Sequence, residues 1–288
     1  MIIGNKRDEV IENIKKSAEV RNFYVTVEPD DPTISPEDTK KIVDRYLKNR
    51  KSVRFKFRTF CARRVVSALT YALNGDTEII GIEKLKDIEG GAVMTSNHFS
   101  PADSTPLRLM SKKLRMRVST VAKASNLAMP GFIGFLMNYA DIIPLYDNPH
   151  YMSRDLMGIL KERFKKNEIV LIYPEQEMWF NYRKPRPPKR GPYYMAAKAG
   201  VPVISCFIEM RDLEEMDTDE FHKVKYVLHV LDVLYPDPAK SSRENSIDMS
   251  KKDYELKTAA YEEAYKKPLA YTFDKSDIAG LAGPEAAV

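Results

Sequence analysis

From residue 78 onward, short apolar runs alternate with stretches of helical periodicity, and no other feature of the chain restricts its fold so tightly. The runs are EIIGI (78–82), AVMTS (92–96), RVSTVAK (117–123), DIIPL (141–145), IVLIYP (169–174), VPVISCFI (201–208) and KYVLHVLDVL (225–234). Each has the length of a strand, and most are nearly continuous in apolar residues, as strands covered on both faces are. Residues 103–113, 130–139, 152–166 and 192–199 carry helical spacing between them. This alternation predicts an α/β fold with a mixed, mostly buried sheet flanked by helices. A last helix is expected over 250–266. No Gly-x-Gly-x-x-Gly or phosphate-loop pattern occurs, which removes the main sequence signal for a nucleotide-binding α/β fold.

The chain divides by texture into an N-terminal helical segment (1–75), the α/β domain (76–270) and a tail (271–288). Ser35-Pro36-Glu37-Asp38 reads as a helix start, with serine as N-cap, proline in the first turn and a carboxylate able to return a bond. Within 53–73 the helical face Ala62, Val65, Val66, Leu69 and Leu73 is expected to pack inward, with Arg63 and Arg64 off it. Those arginines, with Phe55, Phe57 and Phe60, also suit a helix resting on a membrane surface. No run approaches the roughly 18 apolar residues of a membrane span, and the charged N-terminus lacks a signal-peptide core, so a soluble protein is expected. The net charge of +5 favours anionic partners: phosphates, anionic lipid, acidic carriers or nucleic acid. Two cysteines, Cys61 and Cys206, offer neither a disulfide framework nor a metal cluster and fit a reducing compartment.

Ser96-Asn97-His98-Phe99-Ser100-Pro101-Ala102-Asp103 raises the chemical question. Ser100 to Asp103 repeats the S-P-x-D helix start of Ser35 to Asp38, so Asp103 is accounted for as the third position of a capping box. His98 has no counterpart in the first copy. Asp103 can equally accept from Nδ1–H of His98, fix its tautomer and leave Nε2 free at the C-terminal end of a strand, where α/β sites lie. With no Gly-x-Ser-x-Gly elbow to supply a nucleophile, such a histidine would activate a hydroxyl of the substrate itself. His150, His222 and His229 read as surface or core residues.

Asn97 to Asp103 resembles the NHxxxxD block of the glycerolipid acyltransferases, whose members include the 1-acylglycerol-3-phosphate (lysophosphatidate) acyltransferases. Further blocks follow in that family's order: Tyr173-Pro174-Glu175 resembles Phe-Pro-Glu, Lys189-Arg190-Gly191 a basic-basic-glycine element, and Val201-Pro202-Val203-Ile204 the Val-Pro-Ile-Val block. Ala122-Lys123 and Pro130-Gly131 match more weakly, and the resemblance spans about 78–235. It implies a glycerolipid acyltransferase-like fold and transfer of an acyl group from acyl-CoA or acyl carrier protein to a lysolipid hydroxyl, in phospholipid biosynthesis. His98 would be the general base, Asp103 its orienting partner and Glu175 the carboxylate that positions the acceptor. Asn97, Gln176, Lys189 and Arg190 are the further expected substrate-binding residues. No cofactor and no metal are implied. Two departures leave the acceptor open. Gln176-Glu177-Met178 stands where the family has Gly-Thr-Arg or Gly-Ser-Arg, and Asp147 falls where it carries a phosphate-holding arginine.

NYRKPRPPKRG (181–191) sets five cations beside Trp179, Phe180 and Tyr182. It reads either as a solvated loop or as an interfacial patch with the aromatics at headgroup depth. The expected place of the protein is cytoplasmic, peripheral on the inner face of an anionic membrane, with no nucleic acid as partner. The rival reading is a non-catalytic basic module, built from 54–64 and 183–190, that binds a membrane surface or nucleic acid.

Overall fold

A computed structural model describes residues 6–282. Three helices come first: α1 (Arg7–Glu19), α2 (Pro36–Asn49) and α3 (Val53–Leu73). At α2 the S-P-x-D start behaves as its sequence predicts, Ser35 Oγ accepting the Asp38 N–H at 3.1 Å with Pro36 opening the helix.

The apolar runs then form one seven-stranded sheet in the order β1-β7-β6-β2-β5-β3-β4. Its strands are β1 (Glu78–Ile80), β2 (Ala92–Thr95), β3 (Val118–Lys123), β4 (Ile142–Leu145), β5 (Ile169–Leu171), β6 (Val203–Met216) and β7 (His222–Leu234). β6, β2, β5, β3 and β4 run parallel, whereas β7 is antiparallel to β6 and carries β1 alongside it in parallel. The sheet is therefore mixed, as expected. Helices α4 (Ser104–Lys113), α5 (Gly131–Tyr139), α6 (Met157–Phe164, entered through a π-helical turn at Tyr151–Leu156) and α7 (Gly191–Ala199) occupy the crossovers.

Successive strand residues face opposite ways, and here both faces are covered. Val93, Val170 and Val203 pack with Leu156, Leu160, Tyr193 and Ala196 on one side. Met94, Leu171 and Ile204 pack with Leu85, Leu107 and Met110 on the other. That double burial is why the strands read as continuous apolar runs. The last helix, α8 (Ser242–Tyr265), begins eight residues before the expected start at 250 because Ser241 and Glu244 complete a capping box. From α8 a buried Asp253–Lys257 pair (2.6 Å) reaches Thr95 Oγ1, which donates to Asp253 Oδ1 at 3.1 Å and fixes the end of β2.

α3 forms where its periodicity placed it but is rotated from the expected face, of which Ala62 is buried and Val65 and Val66 are half-buried. Its buried residues are Thr59, Ala62 and Thr70, whereas Leu69 and Leu73 are exposed. Apolar residues lie nearly all round this helix, so packing against α4 and α5 rather than hydrophobicity sets its rotation. Thr70 can face inward because its hydroxyl donates to Val66 O at 2.8 Å. The N-terminal segment also reaches the domain: Val10, Ile14, Ala18, Phe23 and Val27 bury against Trp179, Phe180, Tyr182, Phe221 and Ile278. No helix among the described residues is long and apolar enough to cross a membrane.

Candidate active site

β2 ends at Thr95, and the chain leaves the sheet through Ser96 and Asn97. The Asn97 side chain donates to Ile208 O at 3.0 Å and accepts from Ile208 N–H at 2.9 Å, imitating a strand neighbour for β6. Expected to touch substrate, Asn97 is instead buried with its amide engaged on backbone. It pins the loop that presents the next residue.

That residue is His98, at the C-terminal end of the parallel strands and about one-fifth exposed. Its Nδ1 lies 2.7 Å from Asp103 Oδ2. A carboxylate only accepts, so Nδ1 carries a proton, and in the neutral imidazole the lone pair is then on Nε2. Oδ2 also accepts the N–H groups of Phe99 (2.9 Å) and Ser100 (3.2 Å), and Oδ1 accepts the Tyr173 hydroxyl at 2.5 Å. The two copies of S-P-x-D thus part company. Ser100 Oγ accepts from Ala102 N–H rather than Asp103 N–H, and α4 begins only at Ser104. Asp103 keeps the return bond of a capping box to Ser100 N–H, but the serine does not complete the box, and the same carboxylate oxygen also holds the imidazole.

Tyr173 stacks on the imidazole, with ring centroids 4.0 Å apart and planes 11° from parallel. Burial, reinforced by the adjacent Asp103 carboxylate, pushes its hydroxyl pKa well above the ordinary value, so it stays a donor. In the sequence Tyr173 stands out only as the aromatic of the Tyr-Pro-Glu block. Its spacing from Asp103 carries no signal, because the two meet only through the sheet order β2-β5.

Glu175 is 2% exposed. Its Oε2 accepts from His98 N–H (3.3 Å) and Arg186 Nε–H (3.0 Å), and Oε1 accepts from Arg186 N–H (3.0 Å). The Arg186 guanidinium also donates to Phe23 O (3.0 Å), His98 O (3.3 Å) and Glu177 O, and lies 4.5 Å from the Trp179 ring centroid. Burial lowers its pKa and the Glu175 carboxylate opposes that shift. Arg186 is a clasp joining the histidine loop, the Glu175 turn and the N-terminal segment.

Neither expectation for 181–191 describes Arg183, Lys184 and Arg186, which are all buried. Arg183 pairs with Asp212, and Lys184 with Asp277 at 2.6 Å. Trp179, Phe180 and Tyr182 are buried as well, so these aromatics do not lie at headgroup depth. The acidic partners come from distant stretches, and local composition could not reveal them. The same burial removes much of the surface that a basic binding module would use.

Three expected residues do face outward. Gln176 occupies a left-handed turn (φ 68°) directly after Glu175 and is exposed. Lys189 N–H donates to Pro174 O at 2.8 Å, bringing the exposed Lys189 and Arg190 back to that turn, and the Lys189 amine sits 3.6 Å from the Tyr24 ring centroid. Asp147 is also exposed, beyond β4 at the same end of the sheet. It lies three strands from β2, roughly 14 Å at 4.8 Å per strand. Thr26 donates to Glu177 at 3.1 Å, and Lys123 pairs with Glu177 at 2.6 Å and with Asp31 at 3.9 Å, contacts between residues far apart in the chain. Burial raises the Asp31 carboxyl pKa, with Lys123 opposing it.

The arrangement supplies an oriented base beside an exposed turn flanked by cations. A family model described as "Acyltransferase" matches residues 76–209. A chloroplastic 1-acyl-sn-glycerol-3-phosphate acyltransferase, BAT2, of Brassica napus is 29% identical over 163 residues, or 57% of this chain. The chain spans 43% of that relative's length. The crystal structure of the 1-acyl-sn-glycerophosphate (LPA) acyltransferase PlsC from Thermotoga maritima aligns with a TM-score of 0.49 and 18% identity, covering 91% of this chain and 97% of that one.

Proposed function

We propose, from the premise that residues 76–209 belong to the acyltransferase family, that the protein moves a fatty acyl group from a thioester to the hydroxyl of a lysophospholipid. Acyl-CoA or acyl carrier protein is the donor, and an acceptor such as 1-acylglycerol-3-phosphate places the reaction in phospholipid biosynthesis. The observation that carries this reading is the His98 Nδ1–Asp103 pair, with no bond to Nε2 from any described residue.

Nε2 takes the proton of the acceptor hydroxyl as its oxygen attacks the thioester carbonyl. The tetrahedral intermediate collapses with cleavage of the C–S bond, and the imidazolium returns the proton to the departing thiolate. Asp103 holds the tautomer and stabilises the imidazolium, as in other His–Asp pairs. Glu175 and Arg186 act from beneath by fixing the backbone of His98. Lys189 and Arg190 are the cations placed to meet an acceptor phosphate, while Asp147 offers it none.

The test is thiol release from a long-chain acyl thioester across a panel of lysolipids, with and without a phosphate monoester. Lys189→Ala is expected to raise KM for lysophosphatidate about tenfold, the loss of roughly 1.5 kcal/mol from one charge-assisted bond, and to leave kcat unchanged. An absence of lysolipid-dependent thiol release throughout the panel would refute the reading.

Tyr173 is a positioning residue here. Tyr173→Phe keeps the stacked ring but removes the donor on Asp103 Oδ1. We expect kcat to fall about tenfold at constant KM, with a stability loss of about 1–2 kcal/mol from the orphaned buried acceptor. A change in KM alone would place the hydroxyl in substrate binding instead.

The family reading also requires access to lipid. Val53, Phe57 and Phe60 of α3 and Phe132 and Ile133 of α5 are exposed, and Arg54, Lys56 and Arg64 stand among them. This surface supports peripheral binding to an anionic membrane, on the cytoplasmic side.

A further inference from the structure

A cavity of about 380 Å³ lies between α3, α4 and the start of β3, away from the catalytic histidine. His98 follows the C-terminal end of β2, whereas Arg117 and Asp141 precede the N-terminal ends of β3 and β4. The six residues of β3 separate the two ends by about 20 Å. This cavity is therefore no part of the acyl-transfer site.

Arg63, Arg64, Arg108, Lys112 and Arg117 line it, against Asp141 as the sole lining carboxylate. Asp141 is already held by Arg117, whose Nε–H donates to Oδ2 at 3.0 Å, with Arg63 more distant at 3.8 Å. Arg117 also reaches Glu168 at 3.5 Å, and among the described residues no carboxylate forms an ion pair with Arg64, Arg108 or Lys112. Lys112 donates to the Ser67 hydroxyl and carbonyl, and Arg64 lies over the Phe60 ring at 5.0 Å. Arg108 donates to Val118 O, Thr120 Oγ1 and Ala140 O. Among the described residues, the buried Nε–H groups of Arg108 and Arg63 make no hydrogen bond, Arg63 Nε having only Asp141 Oδ2 at 3.8 Å. Unpaired buried donors on cations are costly and rarely left open.

We infer that this cavity binds a phosphate group, supplied by the headgroup of an anionic lipid. A phosphate offers acceptor oxygens to several of these donors at once and cancels a local excess of positive charge. Burial, and for Lys112 also the neighbouring Arg108, lowers the pKa values of Lys112 and Arg108; a bound anion would relieve both. The rim favours lipid over free phosphate. Phe60 lines the cavity and is 46% exposed, and beside the cavity the exposed Tyr71 ring lies 4.0 Å from the amine of the lining Lys112. Aromatic rims above basic pockets suit the boundary between headgroup and acyl chain.

The experiment is calorimetric titration of the full chain with dihexanoyl-phosphatidylglycerol below its micelle concentration, and separately with inorganic phosphate. Saturable one-to-one binding of the lipid is expected, with phosphate at least about tenfold weaker, a difference of about 1.4 kcal/mol. Arg63→Gln/Lys112→Gln should weaken lipid binding by about tenfold or more. Arg64→Glu, on an exposed side chain that cannot compromise the core, should do likewise. Lys251→Gln/Lys252→Gln removes as many charges from exposed positions of α8 and should leave the titration unchanged. Thiol release from soluble substrates should persist in all of these variants, so failure here is separable from failure of the catalytic reading. Equal losses in the cavity and control pairs would reduce the effect to diffuse attraction and overturn the site. Phosphate binding as tight as the lipid would overturn the lipid assignment.

Discussion

Replacing His98 with alanine is expected to lower kcat by about 10²–10⁴-fold, the usual worth of a general base, while barely changing thermal unfolding. The separation follows from the geometry around Asp103. Without the imidazole its carboxylate still accepts from Phe99 N–H, Ser100 N–H and the Tyr173 hydroxyl, so no buried charge is orphaned. Asp103→Asn should behave differently. The amide has a single accepting oxygen. Kept on the two loop amides, it turns its NH2 toward the Tyr173 hydroxyl, which can accept from it but loses its own acceptor there, and the charge that holds the imidazolium is gone. We expect a comparable loss of activity together with about 1–3 kcal/mol of stability. Thiol-release rates and unfolding midpoints of both variants decide the matter. Activity within threefold of the native protein in His98→Ala would remove the histidine from the chemistry.

The contrast between Ser35 and Ser100 shows how far local sequence carries. Both copies of S-P-x-D are sound helix starts, and one of them becomes a standard N-cap. The other turns its aspartate backward because β5 places Tyr173 against one oxygen and the strand-end loop offers amides and an imidazole to the other. The strands were legible because burial on both faces writes itself as continuous apolar residues. The rotation of α3 was not, since apolar and small residues surround it and only its neighbours choose the inward face. Arg186 is the clearest case. In the sequence it belongs to a run of cations between prolines, and nothing nearby announces a buried partner. Its partner Glu175 lies eleven residues earlier, across a turn after β5, and Phe23 lies in a segment that reads as separate. Contacts between distant elements are fixed by topology, which a single sequence leaves implicit.

Arg186→Met should be the most destabilising single change near the site, at about 3–5 kcal/mol. The substitution leaves Glu175 buried at 2% exposure with no counter-charge and deprives the carbonyls of Phe23, His98 and Glu177 of a donor. At about 2–4 °C per kcal/mol for a chain approaching this size, the unfolding midpoint should drop by about 6–20 °C. Glu175→Gln/Arg186→Met removes both charges, and much of the lost stability should return, because a buried pair replaced as a unit costs little compared with one partner removed. Activity should not return with it. The His98 carbonyl and the 23–27 segment would still lack the clasp that sets the histidine loop against the Glu175 turn, so the base would be present but poorly held. A double variant both stable and fully active would reduce Glu175 and Arg186 to a charge pair the fold merely tolerates. An Arg186→Met midpoint within about 2 °C of the native one would mean that the guanidinium is not buried against Glu175 in solution. Recovered stability without recovered turnover is the outcome that separates holding the fold together from holding His98 in place.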